Sequence, residues 1–208
     1  MTSESAESFG TAIAHAQRLM QGTKEGRGKP TQQEISMFVA SIALTYAAWE
    51  GYVEDVAVEL TDFLAENATP EQVPQSARAA IESRNPTAWE LVLDPKWSGL
   101  WRRQVTEYAK GTPGDKPPFG MNTANQANVT QLFKRVGVSP WENLDKEDVS
   151  GVDKLVRERG RVVHTAGAPD NFRKALATEH LDRIVRVVAV TDENLAKQAE
   201  DLLQQRPW

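Results

Sequence analysis

The sequence predicts an all-α protein, on three observations. Apolar residues recur every three or four positions through two long runs, 31–67 and 171–205, which is the period of a helix with one side turned inward. No segment carries the alternation and turn dipeptides of a β-hairpin, and neither an internal repeat nor a low-complexity tract is present. Between the long runs, Pro70, Pro74, Pro86, Pro95, Pro113, Pro117 and Pro118 cut the chain into pieces too short for anything but brief helices and turns.

The elements follow in order. Phe9, Ile13, Ala16, Leu19 and Met20 share one side of an amphipathic helix beginning near Ser5, with His15 on its outer surface. The stretch from Gly22 to Pro30 is a connection; it has glycines and a lysine like a phosphate loop, but the spacing is off by one, Pro30 stands where a hydroxyl is required, and no strand precedes it. Thr31, with Glu34 three residues on, forms a capping box for the longest helix. That helix continues through Ile35, Phe38, Ile42, Tyr46, Trp49, Val53, Val56, Leu60 and Leu64 to about Asn67, roughly 54 Å of rod, with a bend expected near Gly51.

Residues 69–120 read as an insertion with short helices near 75–84, 87–92 and 97–110. Trp97 and Trp101 with Arg102 and Arg103 have two readings: a platform on which bases of a single strand stack, or tryptophans packed against the body. A helix over 125–136 ends at Gly137, and Ser139-Pro140-Trp141 makes a short turn before a helix over 151–165. The run over 171–205 is the second long helix, placed to pack on the first. The whole of 1–208 reads as a single domain.

Composition narrows the function. There is no cysteine, and His15, His164 and His180 lie far apart in sequence, so neither a disulfide framework nor a zinc site is expected, and no metal or other cofactor is assigned. No run reaches the ~18 apolar residues of a membrane span, and the polar start Met1-Thr2-Ser3-Glu4-Ser5 lacks a signal-peptide core, so the expected setting is the cytoplasm, with no membrane partner. The net charge of −5 argues against a general nucleic-acid coat. Residues 151–190 nevertheless hold eight Lys and Arg against five acids, a net of +3 that leaves −8 elsewhere, which suits a small, specific RNA contact.

The basic region peaks at residues 155–165, where Arg157, Arg159, Arg161 and His164 crowd together. Permanently charged guanidinium groups beside the one side chain that titrates near neutrality suit a site that handles phosphodiesters. On a helix, Arg159 and His164 stand roughly 140° apart, a gap that a long arginine side chain can largely close. Glu50, beside Trp49 in the most apolar part of the long helix, either pairs with a cation, Arg159 being the candidate, or points to solvent.

Arg159-Gly160-Arg161-Val162-Val163-His164 resembles the Arg-x4-His signature of HEPN domains, flanked by Leu155-Val156 and Thr165-Ala166-Gly167. The stretch from Tyr46 to Glu54 is similar to the aromatic-acidic helix of the RiboL-PSP type of HEPN, and that from Asn128 to Gly137 to the short helix before its motif. The resemblance spans roughly residues 30–205 and implies a HEPN-like helical bundle with two long helices.

It further implies an endoribonuclease without a metal ion, in which His164 moves protons and Arg159 neutralises the charge that builds on the phosphorus. Arg161, Arg157 and Glu50 would support or bind substrate. Two copies would pair through the motif face, and RNA would be the substrate. Toxin-antitoxin or phage-defence systems would be the setting, with an antitoxin protein as a further partner. Gly160 departs from the pattern, since many active members carry a small polar residue there. That departure keeps a second reading in play, a non-catalytic HEPN-like module binding RNA, a nucleotide or a protein.

Overall fold

A helix apolar on nearly every side has to be surrounded, and the long run after Thr31 is such a helix. In the computed structural model, which describes residues 1–24, 29–84, 96–112, 120–164 and 173–208, it forms the central rod of the fold. Seven α-helices lie among the described residues: α1 (Glu4–Gln21), α2 (Gln32–Asn67), α3 (Gln75–Arg84), α4 (Lys96–Lys110), α5 (Gln126–Val136), α6 (Lys146–His164) and α7 (Lys174–Leu203). The rod is α2, and α1, α4, α5, α6 and α7 all pack against it.

The capping box at Thr31 forms as expected: its hydroxyl accepts from the Glu34 amide, and Glu34 returns to the Thr31 amide at 2.8 Å. From there α2 continues as helix through Gly51 to Asn67. Phe38, Ile42, Trp49, Val53, Val56, Leu60 and Leu64 are buried along it. Against them pack Ile13 and Ala16 of α1, Trp101 and Val105 of α4, and Ile184, Val188 and Leu195 of α7, all in the same core.

Polar residues fix the ends of this bundle. Ser3 caps α1 and also reaches α7, with its amide 3.2 Å from the Asp192 carboxylate and its hydroxyl 2.5 Å from it. Glu59 of α2 accepts from the amides of Glu4 and Ser5, supplying the first turn of α1 with acceptors from another helix. Asn125 caps α5, and Gly137 ends it in the left-handed conformation at φ 99°.

The motif helix starts earlier than its apolar pattern suggested. Asp145 accepts from the Asp148 amide at 2.7 Å, so α6 begins at Lys146 rather than near 151, its first turn being polar. This polar turn serves a clamp. The Arg183 guanidinium of α7, 8% exposed, bonds the Glu147 carbonyl at 2.8 Å, the Glu147 carboxylate at 3.2 Å and Glu179 at 3.0 Å, while Arg186 pairs with Asp148. Arg186 holds the Asp148 carboxyl below its ordinary value. Gly151 leaves the space in which the Arg183 side chain lies.

The tryptophans of α4 belong to the core. Trp97 and Trp101 are 6% and 0% exposed, and the Trp101 indole donates to the Arg135 carbonyl at 2.8 Å. Arg102 pairs with Asp62 and Arg103 with Glu107. The base-stacking platform is therefore not formed; burying two indoles in the insertion is what fastens it to α2 and α5. The helix expected near 87–92 lies outside the described residues, as do 25–28, 113–119 and the Thr165-Ala166-Gly167 flank. Among the described residues no helix is long and apolar enough to cross a membrane.

The clamp sets a contrast between two glycines. Gly151→Ala puts a methyl group into a locked arginine side chain and should lower the unfolding free energy by about 1–3 kcal/mol in urea titrations. Gly10→Ala, in helix α1 with nothing within 4 Å of the new carbon, should raise it by up to about 1 kcal/mol.

Candidate functional site

Helix α6 turns Val152, Leu155 and Val162 into the core, which fixes where its remaining side chains emerge. Arg157 and Arg161 are exposed, and Arg161 meets Glu158 one turn back at 3.0 Å. That pair is largely solvated and contributes little to stability. Arg159 differs from both. It is half-buried, and its guanidinium carbon stands 5.0 Å from the centroid of the Tyr46 ring on α2, within the range of a cation–π contact. His164 is the last residue of α6, and its side chain lies outside the described residues.

Glu50 takes neither of the two roles expected of it. Its described partner is the Tyr46 hydroxyl, which donates to the Glu50 carboxylate at 2.5 Å from one turn earlier on α2. No direct Glu50–Arg159 ion pair forms among the described residues; the acid and the arginine meet through the tyrosine between them. The same hydroxyl accepts from the Ala124 amide at 3.2 Å, and the Ala124 carbonyl accepts from the Trp49 indole at 2.8 Å. Burial, helped by the bond to Glu50, pushes the Tyr46 phenol up, so it stays protonated and keeps donating.

One more turn along α2 stands Glu54. Burial pushes its carboxyl up to about 7, with the charges of Glu50 and Asp55 adding to the shift and Lys110 opposing it. Lys110 is committed to Asp55, 2.6 Å away. Tyr46, Glu50 and Glu54 therefore form a polar ladder of i, i+4 and i+8 positions up one face of α2. Its lower end holds the motif arginine, and its upper end carries a carboxyl that titrates near neutrality.

The sequence reading singles out Arg159 and Glu50 and passes over Tyr46, the residue that stands between them. The signal was present in the four-residue spacing from Tyr46 to Glu50, which puts a phenol and a carboxylate in reach of each other on any helix. Nor does it single out His180 on α7, which is 3% exposed and whose two ring nitrogens have no hydrogen-bond partner among the described residues. Burial pushes that imidazole down, toward the neutral form.

A rod of helix wrapped by shorter helices makes an all-α bundle, consistent with the HEPN type. The chain belongs to the RiboL-PSP-HEPN family, which it matches over residues 12–197, from the third turn of α1 to the last third of α7. No curated protein and no solved structure matches it.

The raised Glu54 carboxyl makes stability depend on pH. Its folded value of about 7 lies above the ordinary 4.5, so the unfolded chain gives up the proton first and stability falls as pH rises from about 4.5 through 7. Glu54→Gln removes that loss: its melting temperature should exceed the wild type's at pH 8 and match it at pH 5.

Proposed function

We propose that the chain is an endoribonuclease that cuts RNA without a metal ion, within a toxin-antitoxin or phage-defence system in the cytoplasm. The ribose 2′-hydroxyl attacks the adjacent phosphorus, the bond to the 5′-oxygen breaks, and a 2′,3′-cyclic phosphate and a 5′-hydroxyl result. His164 moves the protons, taking one from the 2′-oxygen or giving one to the departing 5′-oxygen. Arg159 neutralises charge as it grows on the phosphoryl oxygens.

The observation that carries this reading is the state of Arg159. Among the described residues it makes no hydrogen bond or ion pair, and a ring face supports it, so its N–H groups remain available to a phosphate. Arg157 and Arg161, both exposed on the same helix, extend the positive surface along which the RNA backbone would lie. Family membership and the Arg159/His164 spacing supply the rest.

A single Arg159/His164 set offers few groups for a full phosphoryl transfer, so the active form is a homodimer that joins two sets in one cleft. Leu44 of α2 and Val163 of α6 support a pairing face, since both are exposed large hydrophobics, 38% and 49%, on the two helices that build the site. An antitoxin protein would be a further partner. The alternative, a HEPN-like module that binds RNA, a nucleotide or a protein without cutting, is favoured by Gly160. A side chain there would meet nothing within 4 Å, so packing does not demand the glycine that replaces the usual polar residue.

Purified wild type should cut cellular RNA in buffer containing chelator. Arg159→Ala and His164→Ala should each lower the rate by about a hundredfold or more, with far-UV circular dichroism unchanged. Equal cutting by both variants would take these residues out of the mechanism, and an inert wild type would favour the binding module. In size-exclusion chromatography, Leu44→Arg with Val163→Glu should shift a dimer to monomer and abolish cleavage with it.

A further inference from the structure

We propose that Tyr46 and Glu50 are positioning residues for Arg159, holding its guanidinium through an aromatic face whose electron density Glu50 enriches. The proposal rests on the reading of Arg159 as the phosphate-neutralising group, and it specifies how that group is kept ready.

Tyr46 is fixed on every side. It is 3% exposed, donates to Glu50 at 2.5 Å and accepts from the Ala124 amide at 3.2 Å. The Ala124 peptide cannot slide away, because its carbonyl is held by the Trp49 indole at 2.8 Å. Trp49 is itself fully buried and packs on Tyr52 and Trp141, with ring centroids 6.2 Å apart in both cases. A ring anchored in this way offers the Arg159 guanidinium, 5.0 Å from its centroid, one defined place to rest.

Hydrogen bonding from a phenol to a carboxylate shifts electron density from the O–H bond into the ring, which makes the ring face more negative and strengthens its attraction for a cation. Glu50 therefore acts on Arg159 without touching it. The arrangement has a chemical advantage over a direct ion pair. A carboxylate on the guanidinium would occupy its N–H donors and cancel its charge, so a phosphate would first have to displace it. A ring face takes neither donors nor charge, and the desolvation of Arg159 is offset while its hydrogen-bonding capacity is left for substrate.

The test uses the full chain and reads the arginine directly. In nitrogen-proton NMR, the Arg159 side-chain Nε–H signal, assigned by its loss in Arg159→Lys, should show the upfield displacement of a proton near a ring face. The displacement should shrink in both Tyr46→Phe and Glu50→Gln, each of which breaks the bond from phenol to carboxylate, and vanish in Tyr46→Leu. An Arg159 signal unmoved by Tyr46→Leu, or by both Tyr46→Phe and Glu50→Gln should the leucine variant not fold, overturns the proposal. In RNA cleavage, Glu50→Gln and Tyr46→Phe should each lower kcat by about tenfold with KM changed less than about twofold, and Tyr46→Leu by at least as much. Added to Arg159→Lys, Glu50→Gln should cost nothing further; a full additional tenfold loss would mean that it acts elsewhere. If wild type cuts no RNA, the nuclease reading fails, and the NMR result still decides whether Tyr46 and Glu50 hold Arg159.

Discussion

The structure depends on the burial of α2. A helix of 36 residues with apolar side chains on almost every face cannot stand at a surface, and the other elements are arranged to cover it. Its burial also sets terms for its polar residues, since a hydroxyl, indole or carboxylate in such a place must find a partner. Trp49 finds the Ala124 carbonyl, Thr61 the Ala57 carbonyl, and Tyr46 both Glu50 and the Ala124 amide. The exception on this helix is the Thr45 hydroxyl, fully buried and without a hydrogen-bond partner among the described residues.

The polar ladder of α2 connects scaffold to site. Arg159 projects from a helix whose position is set by the Arg183 clamp at one end and by Val152, Leu155 and Val162 along its length. It comes to rest on the one aromatic ring of α2 that is itself pinned at the hydroxyl by both a carboxylate and an amide. The Glu50 carboxylate accepts from Tyr46 rather than from the arginine, which sets Arg159 apart from a guanidinium bound up in ion pairs, such as Arg183. Arg183 touches three acidic side chains and a carbonyl. Among the described residues Arg159 touches none, and its contact is with the Tyr46 ring.

Much of the fold was legible in the sequence because it depends on local signals. The capping box at Thr31 and Glu34, the glycine ending α5 and the apolar period of α2 and α7 each act within a few residues, and each lies where its pattern put it. What escaped depends on contacts distant in the chain. The first turn of α6 is polar because it faces Arg183, more than thirty residues away, so no apolar period marks it as helix. The tryptophans of α4 lie beside arginines in sequence, yet the fold turns the indoles inward and the guanidinium groups toward Asp62 and Glu107. For Glu50 the sequence leaves open a pairing with Arg159 or a place in solvent, because neither apolar period nor charge marks the phenol four residues back as its partner.

At the centre stands the claim that this bundle turns a ribose hydroxyl against its own phosphate, and the ends of the RNA fragments test it most directly. Fragments released by the purified chain in the presence of chelator should carry a 2′,3′-cyclic phosphate on one side of the cut and a 5′-hydroxyl on the other, and a single 2′-deoxy substitution at the cut should block release. Fragments bearing a 3′-hydroxyl and a 5′-phosphate, or cutting that ignores the 2′-deoxy substitution, would contradict the account.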